Sequence, residues 1–157
     1  MTRYKVPLNC ITVAELSAVR KYASSKRKQF TFQTPDKRII NTKDRFFEAA
    51  NHSFPLDPGD VSHVWDALED SLFHGLLSLG YPNVDVIWPF ADDVAASSMR
   101  LLVDGIRFFG YIAYSVDRDD LPRDGLPGEV PVTLRLLLVC SNRKRKNALE
   151  KELWYFL

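Results

Sequence analysis

The chain has 157 residues, of which 46% are hydrophobic and 12% aromatic, a composition typical of one folded domain and not of a disordered chain. Its longest uncharged stretch, residues 71–84, is too short to span a bilayer, and its two cysteines form no motif, so we expect a cytoplasmic protein with free thiols and no membrane segment. The net charge of +1 hides a segregation: residues 51–130 contain fourteen acidic residues and four arginines, a net −10, which leaves about +11 for the two ends.

The first third of the chain alternates helix and strand signals. Thr12 and Glu15 have the spacing of a capping box, which predicts a short amphipathic helix. Phe30 and Phe32 alternate with polar residues and predict a strand with one covered face. Thr42 predicts the N-cap of a second helix. The buried side of that helix would contain Phe46, Phe47, Ala50 and Phe54.

A longer helix is predicted to begin at Pro58, because Asp57 is a suitable N-cap and proline is favoured at the first helical position. From there, apolar residues recur three and four positions apart and predict one buried stripe. This stripe contains Val61, Trp65, Leu68, Leu72, Leu76 and Leu79. The opposite side would contain Ser62, Asp66, Glu69, Asp70 and Phe73.

The second half of the chain repeats the alternation of strands and helices. Residues 84–88 form a short apolar run that predicts a buried strand. Asp92 and Asp93 suit the first turn of a helix that is predicted to end at Gly110. Residues 111–116 fit either a continuation of this helix or a strand, and residues 117–128 predict a loop. Residues 132–140 give the strongest strand signal, and a last helix follows from Arg143. This order predicts an α/β fold with a small, mostly parallel sheet and right-handed crossovers.

The acidic side of the helix after Pro58 is the strongest candidate for function. Asp66 and Asp70 are four residues apart, so both carboxylates project from one face, and Glu69 lies between them. A solvated polar face is the alternative interpretation of this pattern. Acid–base catalysis would need one carboxylate in an apolar pocket, and an exposed helix face gives no such sign. The three histidines recur eleven residues apart and no cysteine cluster accompanies them, so we expect no metal site and no enzyme.

The motifs of the middle region resemble those of the barstar family. They are TKDRFFEAA at residues 42–50, Phe54–Pro55, WDALEDSL at residues 65–72, and an apolar strand ending in Trp88. The resemblance covers about residues 29–141 and implies a three-stranded parallel sheet packed by helices. We therefore expect a barstar-like domain at residues 29–141, an N-terminal helical extension at residues 1–28, and a basic C-terminal helix at residues 142–157 that packs on the same domain.

The resemblance implies the function as well as the fold. Members of this family inhibit guanyl-specific ribonucleases by placing an acidic helix and the loop before it into the basic active site. By position in the motif, Asp66 and Asp70 match the two aspartates that contact basic residues of the nuclease, and Glu69 matches a contact position. Carboxylates there take the place of substrate phosphates, since arginine pairs with both groups. We expect Ser62, His63 and Phe73 to complete the partner-binding surface.

One departure and one alternative accompany this prediction. Family members carry an aromatic-aromatic-Gly-x-Asn segment before the Trp-Asp pair, where this chain has residues 60–64, and we expect an added helical turn from Pro58 to replace it. The alternative function is nucleic-acid binding through the basic runs at residues 26–28 and 143–146, although short basic runs are usually only solvated. The sequence thus predicts a ribonuclease inhibitor, a toxin immunity protein without a cofactor, which is a monomer when free.

Overall fold

The computed structural model describes residues 7–21, 27–117 and 131–157. The elements in chain order are β1 (Leu8–Thr12), α1 (Val13–Lys21), β2 (Arg27–Thr31), α2 (Lys43–Ser53), α3 (Trp65–Leu77), β3 (Asn83–Trp88), α4 (Ala91–Val116), β4 (Thr133–Cys140) and α5 (Arg143–Phe156). The strands form one parallel sheet in the order β1-β4-β3-β2. The predicted α/β fold with a parallel sheet is confirmed. No described helix is long and apolar enough to cross a membrane.

The sheet has four strands within the described residues, where the prediction had three. The added strand is β1, which pairs with β4 at one edge, with Leu8 opposite Leu136 and Thr12 opposite Cys140. The sequence of β1, LNCIT, is short and half polar, so its pattern does not distinguish a strand from a loop. Its pairing with β4 supplies the hydrogen bonds that make it a strand.

The helices lie on both faces of the sheet. One face, which we call the front face, packs against α2, α3, α4 and α5 through residues such as Val86, Trp88 and Leu136. The other, the back face, packs against α1 through a small cluster that contains Ile11, Ile87, Leu137 and Val139, with Leu16 and Val19 of α1 packed against it. The alternation of side chains along β3 and β4 therefore divides the core into a large front part and a small back part.

Local signals for helix starts are confirmed where a side chain caps the helix. The Thr12 hydroxyl accepts a hydrogen bond from the Glu15 N–H at 3.2 Å, and the Thr12 N–H donates to the Glu15 carboxylate at 3.4 Å, which completes the capping box. Thr42 caps α2 in the same way by accepting from the Arg45 N–H at 3.2 Å. Asn142 caps α5.

The predicted start of α3 at Pro58 is wrong, because α3 begins at Trp65. Residues 57–64 form an exposed loop instead of an added helical turn. Asp60 has a φ of 52°, which no right-handed helix accommodates. The side chain of Asn51 on α2 accepts from the Val61 N–H at 2.9 Å and donates to the Val61 carbonyl at 3.3 Å, so α2 binds the backbone of this loop directly.

Helix α4 is longer than predicted. Gly110 does not end it, since Ile112, Ala113 and Val116 continue the buried stripe and the helix ends at Val116. The helix is interrupted at Ser98, whose φ of −156° and ψ of 88° are not helical. The Ser98 hydroxyl accepts a hydrogen bond from the Leu101 N–H at 3.2 Å, as an N-cap does for a new helix. The predicted loop at residues 117–128 lies outside the described residues, apart from Asp117.

Candidate functional site

The buried side of α3 fixes which of its residues reach the surface. Leu68, Leu72 and Leu76 are almost completely buried, as the apolar periodicity predicted. Trp65 is half-buried and packs against the rings of Phe46, Phe47 and Phe108, with ring centroids 5.0 to 5.6 Å apart. The opposite side of α3 therefore faces outward, and Asp66, Glu69 and Asp70 lie on it. We call these three residues the acidic face.

The carboxylates of the acidic face differ in their surroundings. Asp66 is exposed and forms no ion pair with any residue that the structure describes. The side chain of Asp70 is 73% exposed and lies 3.5 Å from Nε2 of His74, one turn along the helix. Glu69 is half-buried, and burial, with the nearby Asp66 carboxylate, raises the pKa of its carboxyl group. A nearby cation would favour the ionised form of Glu69.

The loop before α3 supplies the other predicted contact residues. Ser62, His63 and Val64 are exposed. The His63 ring stacks on Phe47 at a centroid distance of 5.1 Å, and its Nδ1 lies 2.7 Å from the Asp44 carboxylate. These contacts hold His63 beside the first turn of α2. Ser62 and His63 thus lie just before the start of α3, next to the acidic face.

Phe73 is less accessible than the other predicted contact residues. It is half-buried and packs against the front core, and its ring meets that of His74 edge to face at 5.2 Å. It lies one turn beyond Glu69 on α3. Most of the surface that Phe73 offers to a partner is therefore at the margin of the acidic face.

A shallow cleft of about 390 Å³ separates the acidic face from α4. Its lining contains Trp65 and Glu69 from α3 and Asp104, Arg107 and Phe108 from α4. Sequence reasoning did not identify Asp104 or Arg107 as site residues. Their spacing placed them on the polar side of α4, but only the packing of α3 against α4 brings that side next to Glu69.

Two cations border this acidic surface. The Lys43 ammonium lies 6.0 Å from the Trp65 ring centroid and 5.7 Å from that of Phe47, within the range of cation–π contacts. The Arg107 guanidinium donates to the Phe156 carbonyl at the end of α5, at 3.3 Å. A lysine of α2 therefore lies beside Trp65, and an arginine of α4 lines the cleft with Glu69, so the charge near the acidic face is mixed rather than uniform.

The basic run at the start of α5 is largely used within the fold. Arg145 forms ion pairs with Asp92 at 3.0 Å and with Asp93 at 2.9 Å. The Lys146 ammonium lies 3.5 Å from the Glu15 carboxylate of α1. Two of the four basic residues at positions 143–146 thus join α5 to α4 and α1, which leaves fewer of them for an external partner.

No family model, no curated protein and no solved structure matches the chain. Within the described ranges, no group of three or more His, Cys, Asp or Glu side chains is arranged to hold a metal ion. The function of the acidic face is therefore inferred from the chemistry of its side chains. This face offers three carboxylates, one of them partly desolvated, beside an aromatic ring and a cleft, which suits the binding of basic side chains.

Proposed function

We propose that this protein is a barstar-like inhibitor that blocks the active site of a ribonuclease, and that it acts in the cytoplasm as an immunity protein against a toxin. The observation that carries the proposal is the acidic face of α3. It is exposed on a helix whose opposite side is anchored in the core, and it coincides with the WDALED stretch on which the resemblance to the barstar family depends.

The chemistry of a ribonuclease active site explains why an acidic face would bind there. Such a site binds the phosphates of RNA with arginine, lysine and histidine side chains. The Asp66 and Asp70 carboxylates present the same oxygen acceptors, and the nuclease cannot cleave them. Asp66 has no competing ion pair among the described residues, so no internal contact has to break before it binds a partner cation.

The cleft beside the acidic face adds a second kind of contact. Glu69 and Asp104 both line it, and the half-buried Trp65 ring forms part of its wall. An arginine side chain of a partner could pair with a carboxylate here while its planar group lies on the aromatic ring. The site would then bind one partner cation at the exposed aspartates and another in the cleft.

The proposal also accommodates the loop before α3, which departs from the barstar pattern. Val64 is exposed and His63 stacks on Phe47, and both shortly precede Asp66 in the chain, so this chain offers an aliphatic group and an imidazole where the family has aromatic residues. The inhibitory surface would then differ in shape from that of the family. We expect a target nuclease whose active-site rim is correspondingly different.

Nucleic-acid binding through the basic runs is the less favoured alternative. Arg145 and Lys146 of the C-terminal run already pair with carboxylates of α4 and α1. The N-terminal run places Arg27 against a buried carboxylate, Asp85. Basic runs that are engaged in this way leave few free cations for an extended nucleic-acid surface, which needs several phosphate contacts.

The direct test is inhibition of guanyl-specific ribonucleases by the purified protein, with Asp66→Ala and Asp70→Ala compared with the unmodified chain. Removing one carboxylate from a desolvated charge pair leaves the partner's cation unpaired and costs about 2–5 kcal/mol of binding free energy, roughly a 30-fold or greater rise in the inhibition constant. The two changes should not be additive, with a coupling of about 0.5–3 kcal/mol, since both carboxylates meet one group of cations.

The matched control is Glu152→Ala, which removes an exposed carboxylate from α5. It should leave inhibition unchanged, and all three variants should unfold at nearly the same temperature as the original chain. The association rate should also fall steeply between low and physiological salt. If Asp66→Ala and Asp70→Ala both fold and inhibit as well as Glu152→Ala does, the acidic face is not the binding surface.

A further inference from the structure

The back face of the sheet is only half covered by α1. The cluster around Leu16 and Val19 covers the carboxyl ends of the strands. Toward their amino ends the same face is polar, and Asp85 of β3 lies there, completely buried. Because Asp85 and Ile87 are two residues apart on β3, they lie on the same face of the sheet. A buried carboxylate calls for a specific set of partners.

Asp85 is bound by side chains from both neighbouring strands. One carboxylate oxygen accepts from Nη1 of Arg27 at 2.6 Å and from Nε of Arg135 at 3.0 Å. The other accepts from Nη2 of Arg135 at 2.9 Å and from the Gln29 amide at 3.3 Å. Each oxygen therefore has two donors. The carboxylate has no capacity left for the remaining N–H groups of the two guanidinium groups.

This cluster contains two cations and one anion. The side chains of Arg27 and Arg135 are 30% and 33% exposed, whereas that of Asp85 is fully buried. The cluster therefore presents one excess positive charge to the solvent, on guanidinium groups whose positions are fixed by Asp85. Among the described residues, neither arginine has another hydrogen-bond partner.

Two further basic residues lie at the end of α1, whose Val19 carbonyl accepts a hydrogen bond from the Gln29 amide of the cluster. Arg20, at the end of α1, donates to the Thr31 hydroxyl of β2 at 3.4 Å, and the adjacent Lys21 is exposed. The acidic face of α3 belongs to the front layer of helices, on the other side of the sheet.

We propose that Arg27 and Arg135 form a binding site for a phosphate group on the back face of the sheet. Guanidinium groups match the geometry of phosphate oxygens, and Asp85 orients both of them before a ligand arrives. A phosphate bound there would balance the excess charge, and its oxygens would accept hydrogen bonds from the arginine N–H groups that Asp85 leaves free. None of the four described side chains of the cluster, Arg27, Gln29, Asp85 and Arg135, is aromatic, so the contacts they offer are to the phosphate itself. This inference does not depend on the inhibitor function.

The test is titration of the full chain with inorganic phosphate at constant ionic strength, followed by calorimetry and by the thermal unfolding temperature. We expect saturable binding and a rising unfolding temperature with phosphate, and no such rise with chloride. Arg27→Gln and Arg135→Gln should each weaken phosphate binding roughly 10- to 100-fold, since each removes charge-assisted hydrogen bonds. Either variant leaves Asp85 with one arginine, a balanced pair, so both should fold.

Arg100→Gln is the matched control, because Arg100 is an exposed arginine on α4 in the front layer. It should bind phosphate as the original chain does. Arg27→Lys keeps the charge but loses the planar donor geometry, and it should fall between the original chain and Arg27→Gln. Equal phosphate binding by Arg27→Gln, Arg135→Gln and Arg100→Gln would overturn the proposal, as would a complete absence of binding by the original chain.

The source of the phosphate is separated by three further probes: a mononucleotide, a short single-stranded RNA, and phosphatidylcholine vesicles containing phosphatidylserine. A single built site predicts that the mononucleotide binds at least as well as inorganic phosphate. Tighter RNA binding that Arg27→Gln abolishes would extend the site to a nucleic-acid backbone. RNA or vesicle binding that is insensitive to Arg27→Gln and Arg135→Gln, without binding of the small phosphates, would contradict the site.

Discussion

The close approach of α3 to the segment before it gives a sharp test of how the acidic face is held. A Cβ atom on Gly75 would lie 1.5 Å from the carbonyl oxygen of Pro55 and 2.7 Å from its carbonyl carbon. In the same contact, the Asp57 N–H donates to the Ser71 carbonyl at 3.0 Å. The overlapping atoms belong to the backbone, so no side-chain rotation relieves the overlap. Gly75→Ala must therefore displace either α3 or the segment around Pro55.

The expected loss of stability follows from two opposing effects. Overpacking costs about 1–3 kcal/mol and occasionally more, and a collision with backbone atoms puts Gly75→Ala at about 3 kcal/mol. Alanine favours the helix interior over glycine by about 1 kcal/mol. The net loss should be about 2 kcal/mol, which for a protein of this length lowers the unfolding temperature by about 4–8 °C.

Gly59→Ala is the control, since its new Cβ would meet only the Leu56 carbonyl oxygen at 4.0 Å. It should be neutral or stabilising by up to about 1 kcal/mol, because alanine restricts the unfolded chain. Thermal and urea unfolding, followed by circular dichroism, would measure both variants. If Gly75→Ala proves as stable as Gly59→Ala, α3 does not approach Pro55 this closely and the placement of the acidic face has to be revised.

Three further predictions concern stability. Trp65→Ala should lower the free energy of unfolding by about 2–3 kcal/mol, less than the roughly 3–5 kcal/mol of a fully buried tryptophan, because the ring is half-buried. Urea denaturation would measure this loss of stability. A variant as stable as the original chain would show that Trp65 does not belong to the core. Burial alone would raise the pKa of the Asp92 carboxyl group, but hydrogen bonds from Ser141 hold this pKa below its usual range. The ionised Asp92 carboxylate therefore stabilises the fold above the unfolded pKa of about 3.9, and this stabilisation is lost as the pH falls through the folded pKa. Asp92→Asn should make the free energy of unfolding depend less on pH in the acid range. An unchanged pH dependence would contradict this role of Asp92. The ionisation of Glu69 has the opposite effect on stability: burial and the Asp66 carboxylate raise its pKa, so its ionisation opposes folding as the pH rises through the ordinary range. Glu69→Gln should therefore raise the free energy of unfolding by a few tenths of a kcal/mol at neutral pH while weakening inhibition. Stronger inhibition by this variant would refute a role of Glu69 in binding.

Much of the fold can be predicted from the sequence because its signals are local. The capping residues Thr12 and Thr42 act on backbone groups three residues away, so the sequence alone predicts both caps. The apolar stripe of α3 depends on the helix period alone, so the outward placement of Asp66 and Asp70 followed from their spacing. The start of α3 could not be predicted in this way. Asp57 and Pro58 form a good local start signal, and a contact from Asn51 in another helix overrides it.

The charged sites outside α3 were decided only by the tertiary structure. Arg27 and Arg135 lie 58 and 50 residues from Asp85 in the sequence, and parallel strand pairing brings them together. In the same way, Asp104 lines the cleft only because α4 packs beside α3. Sequence patterns record interactions within about one helical turn or one strand, whereas these contacts depend on which strands and helices become neighbours. The capped starts of α1 and α2, the strands β2 to β4 and the acidic face could therefore be inferred from the sequence alone, while the start of α3, the edge strand β1, the cleft and the paired arginines required the tertiary structure.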